Sequence, residues 1–200
     1  MPAASAGPSI VKSVRQRQLL NAWLRLFARN GGLPQFAAYE IDRYDEEKQD
    51  MIFCSVSYDA ATPRYLVTYD GQRIVEAFGV TGVGRGLEDI LGPERAAATL
   101  PIYNECVARR RPSYSVRRLI DVSGREVDYE RLLLPFGSGD RVDSIIGSLK
   151  TISAEGGFQQ KNLMRTESAP VQHMVHAIID REAQRGSSNA PASTVDIIEI

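Results

Sequence analysis

Residues 113–152 read SYSVRRLIDVSGREVDYERLLLPFGSGDRVDSIIGSLKTI. Three β-prone runs stand out, Ser113 to Asp121, Arg125 to Pro135 and Val142 to Ile152. Two glycine-containing turns separate them, Val122-Ser123-Gly124 and Gly137-Ser138-Gly139-Asp140. Runs of branched and aromatic residues punctuated in this way form consecutive antiparallel strands. A three-stranded meander is therefore expected. Along its middle strand, Val127, Tyr129, Arg131 and Leu133 share one face, and Asp128 and Glu130 share the other.

Upstream of the meander, Pro93 to Arg109 reads as a helix that buries Ala97, Leu100, Tyr103 and Val107, with Pro101 as a point of kinking or division. Leu87 to Leu91 gives a further turn of helix, and Gln72 to Phe78 one or two more, stopped by Gly79. Between them, Gly79 to Gly86 holds four glycines and no lysine, so it is a connector and lacks the P-loop pattern. Met51 to Tyr58 and Arg64 to Tyr69 make a hairpin around a turn at Asp59 to Pro63. Leu33 to Asp50 is a polar connector.

From Ile10 to Asn30 the pattern is helical, with Leu19, Leu20, Trp23, Leu24, Leu26 and Phe27 on a broad apolar stripe ended by Gly31-Gly32. That stripe has two uses open to it. It packs on its own domain, or Leu19, Leu20, Trp23 and Phe27 form part of a dimer interface. Residues 1–9, small and containing two prolines, read as a flexible leader.

Beyond Ile152 the pattern weakens. Gly156-Gly157 interrupts the chain, Phe158 to Arg165 suggests a short helix, and Val171 to Gln184 suggests another with Met174, Val175, Ile178 and Ile179 apolar. Residues 186–194 read as a linker, and Val195 to Ile200 as an end that docks as a strand or binds a partner. The division expected is a leader at 1–9, a helix at 10–32, a domain at 33–152 and a helical extension with a flexible tail at 153–200, the last lying outside the core.

The order helix, two strands, short helices, one longer helix, three strands resembles a PAS domain. Particular residues sharpen the likeness to the short PAS proteins common in alphaproteobacteria. They are Leu19-Leu20-Asn21-Ala22-Trp23, Arg64-Tyr65 through Gly71, Ile74-Val75-Glu76-Ala77-Phe78-Gly79, Thr81-Gly82 and Gly86-Leu87. Most specific is Val127-Asp128-Tyr129-Glu130-Arg131-Leu132-Leu133-Leu134-Pro135, followed by Val142-Asp143 and Ile146-Gly147. The resemblance spans about Gln18 to Ile152. It implies an α+β fold with a five-stranded antiparallel sheet, short helices on one face, and helical extensions at both ends. One departure is Val67-Thr68-Tyr69 where many members carry Val-Gly-Thr; Tyr69 is expected to narrow the cavity near that strand.

The chemistry carried by the chain excludes several classes. A net charge of -1 over 200 residues sets up no global field for nucleic acid or anionic membrane. No apolar run is long enough for a bilayer-spanning helix and no secretory signal opens the chain, so a cytoplasmic location is expected. Cys54 and Cys106 read as buried free thiols, outside the Asn-Cys-Arg context of a flavin-adduct photosensor. His173 and His176 are the only histidines, both outside the PAS-like region, which leaves no axial haem ligand or catalytic triad there. No cofactor, metal site or catalytic residue is assigned.

Asp128 and Glu130 read as a solvated surface, salt-bridged to nearby Arg125 and Arg131. Arg109-Arg110-Arg111 with Arg117-Arg118 is the basic concentration, and Arg118 to Asp121 has the R-x-x-D spacing of some cyclic-di-GMP sites. The expectation is a sensory or interaction module, not an enzyme, that binds a signalling partner or itself as a homodimer. A small ligand would sit between sheet and helices, lined by Tyr65, Phe78, Tyr103, Tyr129 and Arg131. If the Tyr129–Arg131 face turns outward, these two become interface residues instead. The alternatives are an enzyme of unknown type or a cyclic-dinucleotide-responsive binding protein.

Overall fold

The computed structural model describes residues 3–121, 123–152, 157, 161, 163–165 and 172–180. Strand β1 (Ala4–Ala6) and a 3-10 turn (Pro8–Ile10) precede helix α1 (Val14–Asn30). The Ser13 side chain caps α1 by accepting from the Gln16 N–H at 3.3 Å, and Gly31 ends it in the left-handed region at φ 66°. The expected polar connector folds into two 3-10 turns, Phe36–Tyr39 and Ile41–Tyr44, and the single turn α2 (Asp45–Lys48).

Next comes the hairpin β2 (Met51–Asp59) and β3 (Thr62–Asp70), then α3 (Gln72–Phe78) and α4 (Leu87–Arg109). Within α4 the backbone breaks at Gly92 (φ 71°, ψ 167°), so Pro93 opens a second helical segment and Pro101 is carried inside it. The meander follows as β4 (Ser113–Ile120), β5 (Glu126–Ser138) and β6 (Arg141–Ile152). β6 returns to pair with β2, with Met51 opposite Ser148 and Phe53 opposite Ile146. The five strands β2 to β6 thus form an antiparallel sheet with α3 and α4 on one face, and the fold is α+β of the PAS type.

Two additions widen that sheet to seven strands in the order β1-β7-β4-β5-β6-β2-β3. The described part of the expected helix at Val171 to Gln184 is strand β7 (Gln172–Ile179), antiparallel to β4. Met174, Val175, Ile178 and Ile179 also satisfy a helical stripe, but β4 offers a free strand edge, and β-branched side chains suit a pleated surface better than a helix. The leader residues 4–6 then pair with β7 in parallel, Ala4 opposite Ala177. The segment beyond Ile152 is not outside the core either, since Leu163, Met164, Ala177 and Ile179 are all buried. The linker expected at 186–194 and the end at 195–200 lie outside the described residues.

Helix α1 covers the sheet face opposite α4. Leu19, Leu20 and Trp23 are at 0% exposure, and the Trp23 indole N–H donates to the Pro135 carbonyl at 2.7 Å. Gln16 Nε2 donates to the Ser148 carbonyl at 2.9 Å, and the Tyr39 hydroxyl donates to the Leu19 carbonyl at 2.8 Å. Burying side chains of this size contributes roughly 1.5–3 kcal/mol each, which fastens the helix to the sheet. The interface expected from Leu19, Leu20, Trp23 and Phe27 is therefore not an open surface. Three of the four are consumed by packing within the chain, and Phe27 lies partly buried between Trp23, at 5.0 Å between ring centroids, and the guanidinium of Arg111.

Candidate ligand site between the sheet and the long helix

The alternation of β5 turns Tyr129 and Arg131 toward α4, which settles the choice left by the sequence in favour of the inward face. The Arg131 guanidinium carbon lies 5.2 Å from the centroid of the Tyr129 ring and 5.8 Å from that of Tyr103 on α4. Tyr65 on β3 meets Tyr103 edge-on, at 5.3 Å and 66°, and its hydroxyl donates to Asn104 Oδ1 at 2.8 Å. Tyr65, Tyr103, Tyr129 and Arg131 thus converge, and each is at most 6% exposed. Phe78 shares a cavity with Tyr129 but not with Tyr65, Tyr103 or Arg131. Ile74 and Met164 also line that cavity of about 10 Å³, room for roughly one water. Tyr69 tilts against Phe53 at 4.6 Å and reaches the Lys48 carbonyl, so its effect falls at the β2–β3 edge.

Arg117, one strand away on β4, belongs to this cluster and was not singled out from the sequence. It sits opposite Tyr129 in the β4–β5 register, while Arg131 sits opposite Ser115. It is 5% exposed, donates from Nη1 to Thr99 Oγ1 at 3.2 Å, and contacts the Ala98 carbonyl through Nη2. Arg117 Nε, Arg131 Nε and Arg131 Nη1 are buried without a hydrogen-bond partner among the described residues. Burial, and then the charge of Arg131, push the Arg117 guanidinium down to about 10. It remains protonated at neutral pH.

His176 on β7 completes the surroundings. Its Nε2 shares a 3.3 Å hydrogen bond with Ser113 Oγ and lies 3.9 Å from Glu105 on α4. Burial lowers its pKa, Glu105 opposes this, and Arg117 and Arg131 reinforce it. The strand geometry of β7 is what brings His176 here; the helix expected at this point concealed it. The thiols are buried, and desolvation pushes Cys54 up to about 12 and Cys106 upward as well, so neither is a poised nucleophile.

The remaining motifs are taken up by structure. Arg118 pairs with Asp128 at 2.8 Å and Glu126 at 2.8 Å, while Asp121 accepts the N–H groups of Ser123 and Arg125 in the β4–β5 turn. The R-x-x-D spacing therefore marks a hairpin, not two groups free for a dinucleotide. Arg110 pairs with Asp140, which disperses the basic concentration further. Asp128 is salt-bridged as expected, but through Arg118. Glu130 is the exception: at 1% exposure it is buried on the α1 side, and Arg131 lies on the opposite face.

No known family model matches the chain, and no curated protein matches it. Solved structures similar to it are light-oxygen-voltage domains. A light-oxygen-voltage domain studied with a flavin analogue is 14% identical over 57% of this chain and 85% of that one, with a TM-score of 0.42. The dark structure of the photoreceptor Aureochrome1 LOV is 12% identical over 61% and 87%, at 0.41. A LOV protein of Rhodobacter sphaeroides is 18% identical over 57% and 70%, at 0.38. At these scores the likenesses carry no conclusion about chemistry. No helix among the described residues is long and apolar enough to cross a membrane.

Proposed function

We propose that this chain is a sensory and interaction module that takes a small ligand between its sheet and α4 and passes the occupancy on to a partner or a second copy of itself. The observation that carries this reading is the convergence of Tyr65, Tyr103, Tyr129 and Arg131 in the interior with buried donors left unpaired. A structure built only for stability pairs or omits such groups. Side chains from β3, α4 and β5 meet there, so a molecule held among them would couple three elements at once. Catalysis has no support in this cluster, because burial holds the neighbouring thiols of Cys54 and Cys106 in the protonated form.

Native mass spectrometry of freshly purified protein tests the reading. A retained small molecule, released on unfolding and lost when Tyr103 is replaced by Ala, is the expected result. A clean apo mass, together with no thermal shift across a library of small metabolites, would overturn it.

Self-association belongs to the same proposal. Because Leu19, Leu20 and Trp23 are covered by the chain's own sheet, they reach a partner only when α1 leaves the sheet. Light scattering across a concentration series reports the oligomer. A monomer throughout, with and without ligand, removes the homodimer.

A further inference from the structure

The inner face of the sheet buries two cations without a counter-charge among the described residues. Arg117 and Arg131 lie on adjacent strands and point to the same face, as diagonal neighbours across β4 and β5. Both are more than nine-tenths buried, and three of their N–H positions lack an acceptor. Thr99 and the Ala98 carbonyl satisfy part of Arg117, and the ring faces of Tyr103 and Tyr129 offset part of the Arg131 charge. Neither guanidinium forms an ion pair with a described carboxylate; Glu105, the nearby acid, is turned to His176 and Arg109. Two like charges buried together repel, and a neutral ligand would leave that repulsion in place.

On the interior-site reading above, we propose that this face holds a small organic carboxylate. Its oxygens accept from Arg117 Nε and from one open edge of the Arg131 guanidinium, at Nε or at Nη1, and the rings of Tyr65, Tyr103 and Tyr129 surround its body. A two-oxygen anion can set one oxygen against each of the two guanidinium groups. Tetrahedral phosphate would turn further oxygens toward ring faces, where negative charge is disfavoured. The wall over the site is α4, broken at Gly92 and carrying Pro101, whose missing N–H loosens the preceding turn where Ala98 and Thr99 hold Arg117. That turn is where the wall gives way to admit the ligand.

Sodium acetate and sodium benzoate are titrated into the full chain, with sodium chloride and sodium phosphate at matched ionic strength as controls. Thermal unfolding and calorimetry are the readouts. The expected result is a saturable rise in Tm with one of the carboxylates, beyond both controls. Arg131→Met and Arg117→Met should bind that carboxylate at least tenfold more weakly. Neither variant should melt far below the parent in carboxylate-free buffer, because the charge that each removes is only partly offset by its neighbours. Should Arg131→Met not fold, Arg131→Lys keeps the charge without the fixed N–H directions of the guanidinium and should also weaken binding at least tenfold.

A variant that retains the full carboxylate response overturns the proposal, as does an equal response to phosphate or chloride. No anion response while a neutral molecule is retained in native mass spectra overturns the carboxylate and leaves the interior site standing. No response and no retained mass overturns both.

Discussion

The indole N–H of Trp23 donates to the carbonyl of Pro135 at 2.7 Å, joining α1 to a strand 112 residues further along the chain. Proline has no N–H, so β5 offers only an acceptor at this position, and the carbonyl it turns out of the ladder is met by α1 instead. Trp23→Phe keeps most of the buried ring and loses the donor, leaving the Pro135 carbonyl unpaired. The expected loss is about 1–2 kcal/mol by urea unfolding. Trp23→Ala should cost about 3–5 kcal/mol. A Trp23→Phe variant as stable as the parent would show that the hydrogen bond contributes nothing.

Lys150 draws two buried acids together. Its Nζ lies 2.7 Å from Glu47 and 2.6 Å from Asp50, and Arg73 holds Asp50 from the other side at 2.8 Å. Among the described residues, Lys150→Met leaves Glu47 with its contact to the exposed Arg15 alone. A destabilisation of about 3 kcal/mol is expected, near the lower end for breaking a buried pair because Arg73 remains. A double-mutant cycle with Glu47→Gln should show coupling, and additive effects would count against the pairing.

The chain should lose stability as pH falls through the histidine range. His176 has its folded-state pKa lowered from 6.5 by burial, with Arg117, Arg131 and the amino terminus acting in the same direction and Glu105 against them. Below about pH 6.5 the unfolded chain therefore takes up the proton first, so stability rises with pH in that window and levels off above it. His176→Gln should flatten this part of the profile, as read by thermal melts between pH 5 and pH 8. A wild-type profile already flat there would remove His176 as the cause.

Truncation after Ile152 should weaken the domain substantially. It removes Ile178 and Ile179, 8% and 0% exposed, and bares the edge of β4. Two buried isoleucines alone correspond to roughly 3–6 kcal/mol. The truncated chain should melt much earlier or aggregate through the open edge. A truncated form as stable as the full chain would mean that β7 docks without consequence.

The meander and the hairpin were legible because their runs end at local turn residues such as Gly124 and Gly139, which act within a few positions. The end of α1 was legible for the same reason, through Gly31, whereas its start at the Ser13 cap was placed a few residues early, at Ile10. β7 was not. Its apolar residues fit both a helical and an extended period, and the deciding partner, the edge of β4, lies more than fifty residues upstream. Tyr129 and Arg131 were found by alternation along β5. Arg117 was passed over because it was read with its neighbours as a basic run; the strand sends Arg117 inward and Arg118 outward to Asp128. Glu130 was misread because a carboxylate in an exposed-looking alternation gives no sign that α1 covers that face.

The pairing of β1 with β7 has a consequence for synthesis on the ribosome. Ala4 is made long before residue 177, yet among the described residues its strand partner is Ala177. Until residues 172–179 have left the exit tunnel, β4 has an open edge and the amino-terminal segment has nothing to join. Strand β1 is thus made well before it can be placed, and the half-made chain presents an unpaired β4 edge until β7 arrives.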